Sequence, residues 1–185
     1  MTVSAHAPQR RRVVFLLVAA LVVGGYFATM HFVRAHVDGR IARSEGRPLP
    51  AFDLVTLEGA HVTSVGLAGK RVVLNFFRSR CEACDAEADA VRQFAEEVRG
   101  RPDVALVSVL MDPVVGFSAE ESAATLARHG YRHPVAMADR AFADAFHGAG
   151  WANVTPVTYV TDGNGVIRHA LRGKQTLAAL RATIE

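Results

Sequence analysis

The stretch that decides the fold is "FFRSRCEACDAE", residues 76–87, because it holds both cysteines of the 185-residue chain. They stand three positions apart, so a disulfide between them would close a very short loop. Stabilisation by a disulfide shrinks with the loop it closes, which makes this pair a poor structural staple. Two cysteines are also too few for the disulfide framework of a small secreted domain. The spacing therefore favours redox or metal chemistry.

The cysteine pair lies where a strand passes into a helix. The run "KRVVLNFF", residues 70–77, is continuously apolar and of β type, as expected for a strand buried on both faces. A helix is predicted from about residue 82 to 98, ended by Gly100 and Pro102. Cys81 is then near the helix N-cap, where unpaired N–H groups and the helix dipole favour a thiolate.

This position suggests separate roles for the two cysteines. In a Cys-x-x-Cys helix start the first sulfur is usually exposed and the second lies one turn in. Cys81 is therefore expected to attack a partner's disulfide, and Cys84 to resolve the mixed disulfide that results. Glu87 follows three residues later on the same helix face, where its carboxyl could take the proton of Cys84. The alternative interpretation of Glu87 is a solvated surface acid.

The rest of the chain alternates strand and helix patterns. This order predicts an α/β domain with a mixed central sheet flanked by helices and closed by an antiparallel hairpin. The expected segments are two short strands within 51–64, a strand at 103–111, a helix from the capping box Ser118–Glu121 to about His129, a strand within 133–138, a helix at 139–146, a hairpin of 156–161 with 165–171, and a last helix from about Gln175.

An apolar segment precedes this domain. Residues 13–33 form a low-charge run of 21 positions, and about 20 helical residues cross a bilayer. The run has no polar face, which argues against a buried core helix. It exceeds a typical signal-peptide core and no clear Ala-x-Ala site follows, so an uncleaved signal anchor is predicted, with cleavage or twin-arginine export as alternatives. The predicted organisation is a cytoplasmic tail (1–12), a transmembrane signal anchor (13–33), a charged spacer (34–47) and a globular domain (48–185).

The orientation of the anchor rests on its flanks. Three arginines at 10–12 precede the run, but Arg34, Arg40, Arg43 and Arg47 follow it, so the positive charges are nearly balanced. The short tail, the tight arginine cluster and the large trailing domain favour an N-terminus in the cytoplasm. The globular domain is thus expected outside.

These features resemble the membrane-anchored TlpA/ResA-like thiol:disulfide oxidoreductases of the thioredoxin fold. The resemblance covers residues 48–185 and is carried by "PAFDLVTLEGAHVTSVGLAGKRVVLNFFRSRCEACDAE" (50–87) and "VTPVTYVTDGNGVIRHALRG" (154–173). It implies a thioredoxin-like fold with an N-terminal hairpin and an inserted strand–helix unit.

The resemblance also implies roles for individual residues. Cys81 matches the attacking thiol, Cys84 the resolving thiol and Glu87 the acid of a Cys-x-x-Cys-x-x-Glu pattern. Pro156 matches the cis-proline that faces the cysteines. The backbone of Thr155 would then pair with the substrate peptide as an added strand.

Arg80 and Ala83 depart from the family's pattern. Arg80 replaces the tryptophan that usually precedes the first cysteine, and Ala83 the proline often found before the second. The loss of the aromatic removes part of the usual substrate-facing surface. Arg80 is therefore expected to contact substrate and to lower the pKa of Cys81, which makes a pair more oxidising. These departures leave the redox direction open.

Asn75 and Trp151 are two further positions that the resemblance marks. Asn75 stands where ordinary thioredoxins keep a buried Asp, which leaves Glu87 as the better candidate for proton transfer. Trp151 is the only tryptophan. It is expected to anchor the core or the loop before Pro156, with packing near the cysteines as the alternative.

The function implied by the resemblance is an anchored reductase in the bacterial inner membrane, with its domain facing the periplasm or cell exterior. Its expected partners are exported disulfides, such as those of apocytochrome c or metal-site cysteines, and a membrane electron donor; a redox-active disulfide needs no cofactor. A thiol oxidant or isomerase is an alternative. A second is a Cu(I)-binding module assisted by Met111 or Met137, although its usual Cys-x-x-x-Cys spacing is one residue longer.

A third alternative is a peroxidase, but "FFRSRC" lacks the proline and threonine of the Pro-x-x-x-Thr-x-x-Cys loop in peroxide-reducing relatives. Nucleic-acid binding is not expected, because the net charge is only +3 and no basic stripe is interleaved with aromatic residues.

Overall fold

The computed structural model describes residues 7–147 and 152–185, with side chains over 11–146 and 152–185. The chain divides into two compact units, of which the second spans Ile41–Glu185. The described residues of the first unit, from Ala7 on, are helical. The second unit holds the sheets, the other helices and the cysteine pair.

Helix α1 spans Ala7–Ala42. Its portion Arg11–Ala42 contains an 18-residue window of mean hydropathy 2.4, none of which is buried. By length and composition this helix can cross a membrane. The helix continues past residue 33 into the segment predicted as a spacer, because alanine and arginine are good helix formers.

The sheets have the mixed character predicted from the sequence. A small antiparallel pair precedes a five-stranded sheet of order β5-β4-β3-β6-β7, in which β3, β4 and β5 are parallel and β6 and β7 antiparallel. The strands are β1 Asp53–Val55, β2 His61–Thr63, β3 Arg71–Phe77, β4 Val104–Leu110, β5 Val135–Met137, β6 Val157–Thr161 and β7 Ile167–Arg172. The thioredoxin-like α/β fold is thereby confirmed.

The helices of the second unit largely match the predicted segments. They are α2 Glu82–Val98, α3 Asp112–Val115, α4 Ala119–His129, α5 Arg140–His147 and α6 Leu177–Ala182. The capping box of α4 is confirmed, since the Glu121 N–H donates to Ser118 Oγ and the Ser118 N–H donates to Glu121 Oε2. Two details were wrong. Helix α3 was not predicted, because four residues are too few to show a helical repeat in the sequence. The last helix is shorter than expected, because Thr176 caps its first turn.

Helix α2 packs on the sheet through one apolar face. Val91 and Phe94 belong to a buried cluster with Val73 of β3, Leu106 of β4 and Leu180 of α6. Full burial of one such side chain stabilises the fold by about 1.5–3 kcal/mol. This packing sets the first turn of α2 directly after the end of β3, with the cysteines at the junction.

Residues 45–49 cover the outer edge of β7. The Gly46 N–H donates to the Ile167 carbonyl at 2.8 Å, the Ile167 N–H donates to the Arg47 carbonyl at 2.9 Å, and the Leu49 N–H donates to the Gly165 carbonyl at 2.7 Å. The end of the segment predicted as a spacer is therefore part of the second unit.

Candidate active site

The cysteine pair occupies the start of α2, as predicted. Cys81 is the N-cap residue, and its Sγ accepts the Cys84 N–H at 3.2 Å. The two sulfurs form a disulfide, with the Cα atoms 5.2 Å apart. Cys81 is 6% exposed and Cys84 is fully buried, so Cys81 is the more accessible sulfur. On reduction, the helix N-terminus favours a thiolate at Cys81.

Thr155 and Pro156 face this pair. The Thr155–Pro156 peptide bond is cis. The Sγ of Cys81 lies 3.8 Å from the Thr155 carbonyl oxygen and 3.6 Å from its Oγ1. The Pro156 carbonyl accepts the Gly173 N–H at 2.9 Å, which ties this loop to the end of β7. The structure thus brings together the residues that the resemblance implies; their roles toward substrate stay a prediction.

Glu87 is buried, which excludes its interpretation as a solvated surface acid. It is 1% exposed. Its Oε1 accepts a hydrogen bond from Asn75 Nδ2 at 2.7 Å, and its Oε2 accepts the Gln175 N–H at 2.9 Å. Burial raises the pKa of Glu87 to about 7, although these two hydrogen bonds favour the carboxylate. A carboxyl that titrates near neutrality can both take and return a proton.

Asn75 connects Glu87 to a buried polar chain. Its Nδ2 also donates to Thr158 Oγ1 at 3.2 Å, and its Oδ1 accepts from Ser108 Oγ at 3.5 Å. Ser108 Oγ lies 2.7 Å from His133 Nε2. Residue 75 is therefore a neutral amide, and Glu87 faces no second carboxylate there. Ser108 and His133 were missed from sequence, since nothing in a strand pattern marks them.

Asp85 follows Cys84 directly, and its carboxylate contacts His129 and Arg128 at the end of α4. Its Oδ1 lies 2.7 Å from Nε2 of the buried His129 and 3.5 Å from Arg128 Nη2. Burial pushes the pKa of Asp85 up, but the hydrogen bond from His129 and the charge of Arg128 outweigh it, and the pKa is lowered. This pair, also missed from sequence, joins the first turn of α2 to the end of α4.

Asp112 holds the loop that leads into Cys81. The buried carboxylate accepts the Ser79 N–H at 2.7 Å, Ser79 Oγ at 2.5 Å and Ser122 Oγ at 2.7 Å. Sequence reasoning missed this cluster, although a signal exists. Ser79 and Asp112 each come within two residues of the end of neighbouring parallel strands, and such ends meet at one edge of the sheet.

Arg80 differs from the cation expected beside the nucleophile. Its backbone is left-handed, with φ of 53°. Its guanidinium forms an ion pair with Glu121 and lies 5.7 Å from the ring centroid of Phe117. The charge of Arg80 is therefore opposed by a carboxylate, so its effect on the pKa of Cys81 is smaller than that of an unpaired cation. Phe117, which was not predicted, places an aromatic ring beside Arg80, the residue that replaces the family's tryptophan.

Other predicted contributors are only partly placed. Trp151 lies outside the described residues. Met137 packs against the cluster that contains both cysteines, and Met111 is buried at the start of α3. Over residues 7–147 and 152–185 no group of three or more His, Cys, Asp or Glu side chains is arranged to hold a metal ion.

Several solved structures share this fold. A thiol:disulfide interchange protein from Chlorobium tepidum is 24% identical, covering 74% of this chain and 92% of its own, with a TM-score of 0.62. A DsbE-type interchange protein from the same organism is 21% identical, covering 76% of this chain and 94% of its own, with a TM-score of 0.62. A secreted disulfide oxidoreductase from Mycobacterium tuberculosis is 19% identical, covering 72% of this chain and 93% of its own, with a TM-score of 0.58. At these identities the likeness establishes the fold.

The sequence itself assigns the family. No curated protein matches the chain significantly. The AhpC/TSA family model matches residues 46–170, which is more than half of the chain. A Cys81–Cys84 disulfide on a thioredoxin-like fold is the arrangement of a thiol:disulfide oxidoreductase. The chain therefore belongs to the AhpC/TSA family.

Proposed function

We propose that the chain is a membrane-anchored reductase that acts outside the cytoplasm on disulfides of exported proteins. The observation that carries this proposal is the buried Glu87, whose pKa of about 7 suits proton exchange on the helix that begins at Cys81. The contact of Cys81 with Thr155 supports a substrate peptide bound at that loop.

Two thiol exchanges make up the proposed reaction. The Cys81 thiolate attacks a partner's disulfide, a Cys81–partner disulfide forms, and one partner sulfur leaves as a thiolate that takes up a proton. Cys84 then gives its proton to Glu87 and attacks Cys81 Sγ. The second partner sulfur leaves and is protonated. The partner gains two electrons and two protons, and Cys81–Cys84 ends as a disulfide.

A donor of two electrons must then reduce the Cys81–Cys84 disulfide back to two thiols. We assign this role to a membrane dithiol protein, because an exporting compartment is kept oxidising. The apolar part of α1 supports an anchor over residues 13–33, with residues 1–12 in the cytoplasm and the domain in the periplasm or outside the cell. Apocytochrome c and metal-site cysteines are the proposed substrates. One structure that shares the fold is described as secreted.

Peroxide reduction is the rival activity on this fold. Counted back from Cys81, the positions of the threonine and the proline of peroxide-reducing relatives hold Arg78 and Leu74. In the structure the Ser79 hydroxyl donates to the buried Asp112. A rate of peroxide consumption above that of free thiol would favour this rival.

The proposal is tested by trapping. Full-length Cys84→Ala, expressed with its anchor, is expected to accumulate disulfide-linked adducts through Cys81, because the resolving thiol is missing. Adducts are resolved on non-reducing gels and identified by mass spectrometry. The double variant Cys81→Ala/Cys84→Ala is the matched control and gives none. Equal adduct patterns in the two variants would contradict the proposal.

The redox direction needs a separate measurement. Equilibration of the Cys81–Cys84 pair with graded thiol buffers gives its reduction potential. A value near or below about −270 mV supports a reductant, whereas about −120 to −180 mV indicates an oxidant or isomerase.

A further inference from the structure

The five-stranded sheet has an incomplete ladder at β4. Strand β3 pairs with all seven residues of Val104–Leu110, whereas β5 pairs only with Ser108, Val109 and Leu110. Residues 104–107 therefore have a neighbouring strand on one side only. This leaves an open edge in the described part of the sheet.

The hydrogen bonds of β4 show which groups face that edge. The Met111 N–H donates to the Phe77 carbonyl, so odd-numbered residues of this strand face β3. The Ser108 N–H donates to the Pro134 carbonyl, so even-numbered residues face the side of β5. Val104 and Leu106 thus direct their N–H and C=O groups to the open edge. Among the residues that the structure describes, these four groups have no hydrogen-bond partner.

A half-open cavity of about 360 Å³ lies along this edge. Ala95 and Val98 of α2 form part of its wall, and Val62 and Leu67 contribute another part. Residues 132–134 line the cavity where the chain enters β5. Val104 and Leu106 are buried, at 5% and 7% exposure, and line this cavity. Their unpaired backbone groups therefore lie beside apolar surface, as in the grooves that accept an extended peptide.

The charge around the cavity is positive. Its lining includes Lys70, Arg99 and Arg132 and contains no Asp or Glu. Arg99 is paired with Glu96 at 2.7 Å, whereas Lys70 and Arg132 have no ion pair within the described ranges. A ligand with a carboxylate complements this rim, and one with an ammonium group is disfavoured.

We propose that this groove docks an extended, acidic segment of a partner protein, which adds as a strand to Val104 and Leu106. The segment puts an apolar side chain into the cavity and a carboxylate beside Lys70 and Arg132. This inference goes beyond the proposed reductase function, because it assigns a second contact that does not include the cysteines.

The groove and the cysteines lie toward opposite ends of the parallel strands. Cys81 follows the carboxyl end of β3, whereas Leu106 lies four residues before the end of β4. At about 3.3 Å per residue, that is about 13 Å along the strand. One partner can therefore occupy both places, and the second contact raises the effective concentration of its disulfide at Cys81.

The test uses the full chain in detergent micelles and a fluorescein-labelled peptide, Glu-Val-Thr-Val-Thr. Fluorescence polarisation is expected to report saturable binding. N-methylation of the two residues that would pair with β4 is expected to weaken binding by at least about tenfold, since it removes backbone donors. Arg132→Glu is expected to weaken binding similarly, whereas Arg43→Glu, an equal charge change at an exposed residue outside the groove, leaves it unchanged.

Amide hydrogen exchange gives a second readout that is specific to strand addition. Saturating peptide is expected to slow exchange at Val104 and Leu106 by at least about tenfold. Cys81→Ala/Cys84→Ala is expected to bind the peptide equally well, so failure here is distinct from failure of the reductase proposal.

Four results would overturn the inference. The first three are that the peptide does not bind saturably, that the N-methylated peptide binds with equal affinity, and that Arg43→Glu and Arg132→Glu lose binding equally. The fourth is protection of Val104 and Leu106 without peptide that grows with protein concentration, because a second copy of the chain would then occupy the edge.

Discussion

Asn75 donates a 2.7 Å hydrogen bond to the carboxylate of Glu87, and each residue is only 1% exposed. The pairing explains how an acid is kept inside this domain. A neutral amide satisfies one carboxylate oxygen, and the Gln175 N–H satisfies the other. Burial still outweighs both hydrogen bonds, so the pKa rises to about 7. Glu87 is thereby available in both protonation states near neutral pH.

Glu87→Gln is expected to slow the resolving step by about 100-fold, because general-base help is typically worth 10²–10⁴. The measurement is single-turnover release of glutathione from a Cys81–glutathione disulfide. In the wild type the rate should rise with pH through about 7, as the carboxylate forms. Glu96→Gln, an exposed acid on the same helix, is the matched control. An unchanged pH profile in Glu87→Gln would remove Glu87 from the reaction.

The same acid makes folding stability depend on pH. Its folded pKa of about 7 lies above its ordinary value of 4.5, so between these values the folded chain binds more protons than the unfolded chain. Stability is therefore lost as pH rises through this window, by on the order of 3 kcal/mol. Glu87→Gln should lack this loss, so its stability relative to wild type should increase from pH 4 to pH 8. Urea unfolding of the oxidised chains measures this difference, and a constant difference would contradict it.

Asn75→Asp is expected to place a second carboxyl within hydrogen-bond distance of Glu87. Two buried carboxylates at such a distance cannot both ionise freely, so the pair titrates as a unit. The variant should lose about 1–3 kcal/mol of stability at pH 8 and less at pH 5, as measured by urea unfolding. Thr158→Val, which removes only the second acceptor of the Asn75 Nδ2 group, should show no such pH dependence. A loss that is equal at both pH values would show that packing, and not charge, sets it.

Much of the fold was predictable because its elements have strong local signals. The apolar run of β3, the cysteine helix and the Ser118 capping box each depend on neighbours in sequence. The placement of Cys81 and Cys84 at the start of α2 follows from these same signals, whereas the position of Pro156 opposite them was predicted through a family pattern. Ser79 and Asp112 were missed because they are 33 positions apart and meet only when β3 and β4 pair.

The electrostatics of the site were the least predictable part. One of the two hydrogen bonds to the buried Glu87 carboxylate comes from Gln175, which lies 88 residues away. The ion pair of Arg80 depends on where α4 packs, so its partner Glu121 was assigned only a capping role. Spacing along the chain carries no information on such contacts.

Asp112→Ala is expected to destabilise the chain by about 2–4 kcal/mol. The substitution removes the acceptor of the buried Ser79 N–H and the shortest hydrogen bond of the Ser79 and Ser122 hydroxyls, which keep longer bonds to backbone carbonyls. Asp139→Ala is the matched control, because that exposed carboxylate accepts one N–H, from Phe142, and its loss should cost about 1 kcal/mol. Thermal unfolding of the oxidised chains compares the two. Equal losses would show that the Asp112 cluster contributes no more than an exposed cap.

Glu121→Gln is expected to make the Cys81–Cys84 pair more oxidising, because it frees the charge of Arg80 beside the nucleophile. A glutamine can still close the capping box with Ser118, so helix α4 should be retained. The freed guanidinium lowers the pKa of Cys81 and stabilises the reduced form, which raises the reduction potential by up to about 30 mV, a tenfold change in the exchange equilibrium. Arg80→Gln removes the cation itself and should give a potential no higher than wild type. Equilibration with glutathione buffers measures all three chains. A potential that falls in Glu121→Gln would mean that the Arg80–Glu121 pair acts on the cysteines by positioning the loop and not through charge.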